Sequence, residues 1–227
     1  MNIRRYKQIE DYMLSCMRDS AHDKEHVYRV LFNALEIAAE EAAVDYDVLI
    51  TACLLHDVGR QAQMENPALC HARAGSEMAE NFLNDNGFDG AFVSKVKHCI
   101  VTHRFRKQLQ PESLEAKILF DADKLDVTGA LGIARSLMYK GNTAEPIYTR
   151  NANGDISSGD GDVESSFFRE YKFKLEKLYD RFYTVKGAAM ARERGHIAAA
   201  FYESLYREVS LPDQTGRMRL QALLEND

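Results

Sequence analysis

The sequence predicts an all-α fold, and three observations carry the prediction. Only 4 of the 227 residues are proline. Long stretches are built from Ala, Leu, Glu, Lys and Met, which lose little conformational freedom in a helix. Within them apolar residues recur at steps of three and four, the spacing that gathers side chains on one helical face. Hydrophobic residues make up 45% and charged residues 28%, so the chain can bury a core and is neither disordered nor fibrous. A single unit over 1–227 is expected: a helical bundle with docked C-terminal helices (163–210) and one long polar loop (141–162).

The elements follow in order. A first helix is read over 3–18. A second, 23–43, opens beside His22 and Asp23, which suit an N-cap pair. The third, 46–58, has Asp45 ahead of it as a cap and Gly59 behind it as a stop. Its segment Asp47 to Gly59, DVLITACLLHDVG, is apolar on every side, the pattern of a buried helix. The fourth, 72–85, ends at the Asn86-Gly87 break, and the fifth covers 90–104. A sixth, 113–138, keeps helical periodicity although it packs Asp121, Asp123 and Asp126 into two turns. Between Gly141 and Asp162 the periodicity is lost and Gly, Asn, Ser, Pro and Asp accumulate, which predicts a long loop with a small hairpin turning at Asn153-Gly154. Beyond it Phe167, Phe168, Tyr171, Leu175, Leu178, Tyr179 and Phe182 form the apolar stripe of a helix over 164–183, and a last helix spans 185–209.

Composition also excludes. Lys and Arg number 29 against 35 Asp and Glu, a net charge of −6, which disfavours a duplex nucleic-acid partner. No apolar run approaches a membrane span, and the opening MNIRRYKQIEDYML lacks the unbroken apolar stretch of a signal peptide, so a cytoplasmic protein with no membrane partner is expected. Cys16, Cys53, Cys70 and Cys99 are scattered with no C-x-x-C, so they indicate neither a disulfide framework nor a cysteine zinc site.

The chemistry gathers around His56 and Asp57, at the C-terminal end of the buried third helix. Burying an imidazole beside a carboxylate is unfavourable unless both are paired or bind a cation. The partial negative charge of a helix C-terminus also favours a cation there. Taken alone, an Asp accepting from the His ring is the better explanation of the pair. Two further segments supply partners. His26, Val30, Asn33 and Ile37 share a stripe, which sets His26 beside an apolar face. Leu119, Asp123, Asp126 and Ala130 share another, so at least one of the three acids is inside, and spacing does not choose among them. A mixed set of imidazoles and carboxylates suits Mn, Fe, Co, Ni or Zn better than Ca.

The order His26, then His56-Asp57-Val58-Gly59-Arg60, then Asp123 in DADKLD resembles the H…HD…D signature of the HD-domain metal-dependent phosphohydrolases. The strings AHDKEHVYRV, LLHDVGR and DADKLDVTGALGIAR are similar to small bacterial members, across roughly residues 20 to 210. The resemblance implies that His26, His56, Asp57 and Asp123 hold one divalent ion, among Mn, Fe, Co, Ni, Zn and Mg, with Mn or Fe favoured. It selects Asp123 because the family places its last Asp just before Lys or Arg. Members with two metals carry extra histidines between the HD pair and the last Asp. His71, heading a stripe through Gly75, Met78 and Phe82, and His103, on a stripe with Phe92, Val96 and Cys99, are therefore candidate second-metal or substrate residues, with a single ion expected. Arg60, Lys124, Arg104 and Arg106 are the candidates for substrate phosphate.

The implied activity is attack of metal-activated water on a phosphate ester or anhydride, with Asp57 the catalytic residue that also orients the water. The implied substrate is a small phosphorylated molecule, foremost a nucleotide cleaved by a pyrophosphohydrolase or phosphatase. Hydrolysis of alarmones or cyclic nucleotides, and a non-catalytic metal- or nucleotide-binding module, are the alternatives. The 141–162 loop is expected at the mouth of the site as a substrate filter.

Overall fold

The computed structural model describes residues 1–17, 24–104 and 109–225; the expected cap pair His22 and Asp23, and the candidate Arg106, lie outside them. Regular structure among the described residues is helical, apart from an isolated bridge position at Leu109 and an isolated antiparallel bridge between Arg150 and Ile156. The fold is all-α, as the sequence predicts. None of the described helices is long and apolar enough to cross a membrane. The chain divides into two compact units, Met1–Asp126 with Phe182–Ala188, and Val127–Arg181 with Ala189–Asp227.

The first unit is built from α1 (Ile3–Cys16), α2 (Lys24–Ala38), α3 (Tyr46–Leu55), α4 (Arg60–Glu65), α5 (His71–Asp85), α6 (Gly90–Thr102) and α7 (Leu114–Leu125). A helix that is apolar on all sides needs neighbours on all sides, and α3 has them, packing against α1, α2, α5, α6 and α7. Side-chain caps set where helices begin: Asp45 accepts from the Val48 amide at 3.2 Å, Asp89 from Ala91 and Phe92 at 2.9 and 3.2 Å, and Ser113 from Ala116 at 3.2 Å.

Three boundaries differ from the expectation. α2 ends at Ala38, well before 43, and the chain turns through Ala43 at φ 62°. α3 stops at Leu55 instead of 58, and His56 to Gly59 form a turn into the short α4, which the sequence did not announce. Close packing explains this turn: a Cβ on Gly59 would stand 2.3 Å from the His71 carbonyl oxygen and 2.4 Å from the Gly75 nitrogen. Gly59 has an ordinary φ of −84°, so space and not backbone conformation demands glycine. Gly59→Ala is expected to destabilise the fold by about 3 kcal/mol, because the atoms in the way are backbone and cannot swing aside. Denaturant titration tests this; the midpoint should fall with an unchanged slope. Finally, the expected helix 113–138 is two helices, α7 and α8 (Gly129–Asn142), broken where Gly129 takes φ 61°.

The second unit contains α8, α9 (Phe167–Phe173), a 3₁₀ turn (Leu175–Lys177) and most of α10 (Val185–Leu224). Its core holds Ile133, Ile156, Phe167, Phe168, Tyr171, Leu175, Leu178, Ala198 and Tyr202. Phe167, Phe168, Tyr171, Leu175 and Leu178 of the expected stripe are thus buried and Tyr179 partly so, whereas Phe182 belongs to the first unit. The helix over 164–183 is interrupted at Lys174, where φ −126° and ψ −58° leave the helical region. α10 runs beyond 209 and through Pro212 to Leu224; a proline removes one backbone donor, which a long helix can absorb. The 141–162 segment is tied down by its own polar groups. The Arg150–Ile156 bridge encloses the expected turn, with Gly154 at φ 82°, and the hydroxyls of Thr149 and Ser157 each donate to the Asp162 carboxylate at 2.7 Å.

Candidate metal centre

Five helices of the first unit deliver six side chains to one buried place. His26 lies in the first turn of α2, His56 and Asp57 in the turn after α3, His71 at the start of α5, His103 just past the end of α6, and Asp123 in the last turn of α7. His26 Nε2 stands 3.3 Å from His56 Nε2, 3.4 Å from Asp57 Oδ2 and 3.5 Å from Asp123 Oδ1. The other oxygen of Asp57, Oδ1, faces His71 Nε2 at 3.5 Å and His103 Nε2 at 3.7 Å. The donor atoms therefore fall into two trios, His26–His56–Asp123 and Asp57–His71–His103, each within 4.8 Å. Asp57 reaches both.

The opposite edge of each imidazole is already engaged. The Nδ1 of His56 donates to the Cys53 carbonyl at 2.7 Å and that of His103 to the Ile100 carbonyl at 2.6 Å. His26 Nδ1 meets Asp126 Oδ2 at 2.7 Å, and His71 Nδ1 meets Gln63 Oε1 at 2.6 Å. An oxygen acceptor at Nδ1 holds the proton there and leaves the Nε2 lone pair pointing inward. Burial pushes the imidazoles of His71 and His103 down to about 2 and about 4 and lowers His56, which favours their neutral forms. Burial works against ionising Asp57, yet His56, His26 and Arg60 around it hold its carboxyl well below the usual range.

This arrangement tests whether a cation fits. The two oxygens of Asp57 and the Nε2 atoms of His71 and His103 are buried without a hydrogen-bond partner, and His26 and His56 turn Nε2 toward Nε2. Acceptors facing acceptors repel unless a positive charge lies among them. Arg60 brings its Nε to 3.0 Å from Asp57 Oδ1 but is not aligned for a hydrogen bond. Imidazole and carboxylate donors are the chemistry a first-row divalent ion takes, so the residues fit the metal. A simple hydrogen bond from His56 to Asp57 does not account for the pair, since the His56 proton is committed to Cys53.

Spacing left the three acids of α7 undecided, and the structure gives each its own partner. Asp123 faces the histidines. Asp121 accepts from the Tyr183 and Thr184 amides and the Thr184 hydroxyl, at 2.7–3.1 Å, tying the 182–188 segment to α7. Asp126 bonds His26 Nδ1 and is itself gripped by Arg29, at 2.6 and 3.1 Å. Nothing in the spacing announced Arg29, Gln63 or Asp126 as supports. Asp126→Asn, which keeps every inward donor, is expected to weaken metal affinity 10- to 100-fold, the usual loss when a ligand histidine is deprived of its carboxylate. Competition against a chelating dye measures it.

Three of the four phosphate candidates, Arg60, Lys124 and Arg104, lie around the same place. Arg60 flanks Asp57, and Lys124 pairs with Asp123 Oδ2 at 2.7 Å while lying over the Phe120 ring. Arg104 Nη1 stands 3.5 Å from His71 Nδ1.

Comparison with known proteins agrees with this geometry. The HD domain family model matches residues 24–128, the span that carries all six side chains. The chain is 28% identical over 213 residues to the Bacillus subtilis (strain 168) protein YpgQ, covering 91% of this chain and 95% of that protein. The crystal structure of Bacillus subtilis YpgQ in complex with ADP superposes with a TM-score of 0.70 at 26% identity, covering 90% of this chain and 97% of that one. The crystal structure of a predicted HD-superfamily hydrolase from an uncultured Thermotogales bacterium is 30% identical, with a TM-score of 0.60 over 91% of this chain and 92% of that one. With the motif, the buried cluster and these relatives in agreement, the chain belongs to the HD superfamily and has the fold of its hydrolases.

Proposed function

We propose that the protein is a metal-dependent phosphohydrolase whose substrate is a nucleotide. The observation that carries this reading is the buried cluster of imidazole Nε2 atoms turned inward around the Asp57 carboxylate. His26, His56, Asp57 and Asp123 would hold one divalent ion, Mn or Fe foremost. Once bound, such an ion lowers the pKa of water and offsets charge on phosphoryl oxygens. The chain's own groups do the rest. Asp57, central and ionised, orients the attacking water. The Nδ1 anchors keep the imidazoles from turning as substrate arrives. Arg60 and Arg104 bind phosphate oxygens in a fixed orientation and draw charge away from the phosphorus. The ADP bound by YpgQ supports a nucleotide over other phosphorylated molecules. His71 and His103, buried and turned to Asp57 Oδ1, favour a second reading in which they hold a second ion.

A panel tests the proposal: nucleoside triphosphates, deoxynucleotides, monophosphates, cyclic nucleotides and guanosine tetraphosphate, each with Mn, Fe, Co, Ni, Zn or Mg, scored for released phosphate and pyrophosphate. Metal-dependent release from at least one nucleotide is expected. Metal binding without release from any would assign the protein to the non-catalytic class. Ions counted per chain distinguish one metal from two.

A further inference from the structure

A cavity of about 550 Å³ lies in the first unit, walled by Leu69, Ala72, Val101 and Leu109, with Arg73 and Arg104 as its charged lining residues. Its volume is in the range of small-molecule sites, and Arg104 links its wall to His71 of the cluster. Cys70 and Ala72, both in its wall, flank His71 in sequence, and the Nε2 of His71 faces Asp57. Arg104 stands at the junction, its Nη1 3.9 Å from Cys70 Sγ and 3.5 Å from His71 Nδ1. That His71 nitrogen is engaged with Gln63. Arg104 forms no ion pair with a carboxylate among the described residues, so its guanidinium retains donors for an anion. Among the described residues no acidic side chain lines the cavity, in a chain of net charge −6. A second cavity, of about 330 Å³ in the other unit, has Lys140 and Lys174 in its lining, but they are already paired with Glu145 and Glu170.

Apolar walls with cations only, one of them beside the buried trio, suit a ligand with a flat apolar body and phosphate at one end. Resting on the nucleotide reading above, we propose that this cavity receives the nucleoside of the substrate. Arg104 grips the phosphate nearest the sugar, and Leu69, Val101 and Leu109 determine which bases are accepted. The cavity and the metal cluster are then one continuous site, with the base held at the α5 start and the phosphates led toward Asp57.

Calorimetric binding of ADP and of inorganic pyrophosphate to the metal-loaded protein tests this. Leu69 is 43% exposed, so Leu69→Trp fills the cavity without burying new bulk in the core; helical circular dichroism verifies the fold. Leu69→Trp should weaken ADP binding about ten-fold or more, a steric loss of the size seen when a pocket is misfitted. It should leave pyrophosphate binding and metal content unchanged and reorder the bases in the panel. Arg104→Gln should weaken both ligands. Wild-type affinity for ADP in Leu69→Trp, with nucleotide hydrolysis intact, overturns the cavity assignment and leaves the function standing. A wild-type protein that neither binds ADP nor hydrolyses any nucleotide overturns both.

Discussion

Asp57→Ala is expected to reduce metal-dependent phosphate release by about a thousand-fold or more while the chain stays helical. Asp57 turns one oxygen to His26 and the other to His71 and His103, so its removal takes a carboxylate oxygen from beside each trio. It also removes the group proposed to orient water. Loss of one fixed partner of transition-state charge commonly costs 10²- to 10³-fold, and the proposed function gives Asp57 that role together with holding the ion. The fold should survive, because the lost atoms are a carboxylate in a polar cluster and not apolar filler. Circular dichroism, metal analysis and the nucleotide panel check the three parts together. Turnover at the wild-type rate would be incompatible with a metal hydrolase centred on this residue.

Metal removal should produce the second large effect. An ion that binds the folded chain and not the unfolded one stabilises by an amount set by its concentration relative to Kd, about 4 kcal/mol at a thousand times Kd. For a chain of this size each kcal/mol moves Tm by about 2–4 °C, so stripping the protein with a chelator should lower Tm by about 8–16 °C. Restoring Mn or Fe should reverse the loss. Asp57→Ala should show a much smaller response to either treatment. A Tm indifferent to chelator and to added metal would show that the cluster holds no ion of consequence.

Much of this site was legible in the sequence, and the limits have physical causes. The apolar surround of α3 announced a buried helix, and with it that His56 and Asp57 needed partners. His26 was legible because one helical face carried it beside Val30 and Ile37. The choice of Asp123 came from family resemblance alone, since Asp121, Asp123 and Asp126 are all drawn inward and periodicity reports burial, not partner. Distant contacts made the difference, with Asp121 answering backbone amides 62 and 63 residues away and Asp126 answering His26. The α7–α8 break was missed because Val127 to Gly129 interrupts an apolar pattern that continues in phase on both sides. α4 is too short to give a period. The buried face of α5 is formed by His71, Ala72, Gly75, Ser76, Ala79 and Leu83, turned slightly from the predicted stripe through Met78 and Phe82.

The anchored Nδ1 atoms bear on the rate at which a divalent ion would enter the cluster. In chains that fold around a metal, uptake waits for the chain. Here two of the four imidazoles are fixed by carbonyls three residues back in their own segments, and the other two by Asp126 and Gln63, so no large rearrangement stands between an arriving ion and its ligands. Uptake should then rise linearly with ion concentration and show no lag, and replacement of one ion by another should be governed by departure alone. Among first-row ions intrinsic affinity follows a fixed order that a preformed nitrogen and oxygen cage does little to invert. The ion recovered with the purified protein would accordingly record the metals available to the cell that made it, and activity would track metal supply over the lifetime of a single molecule.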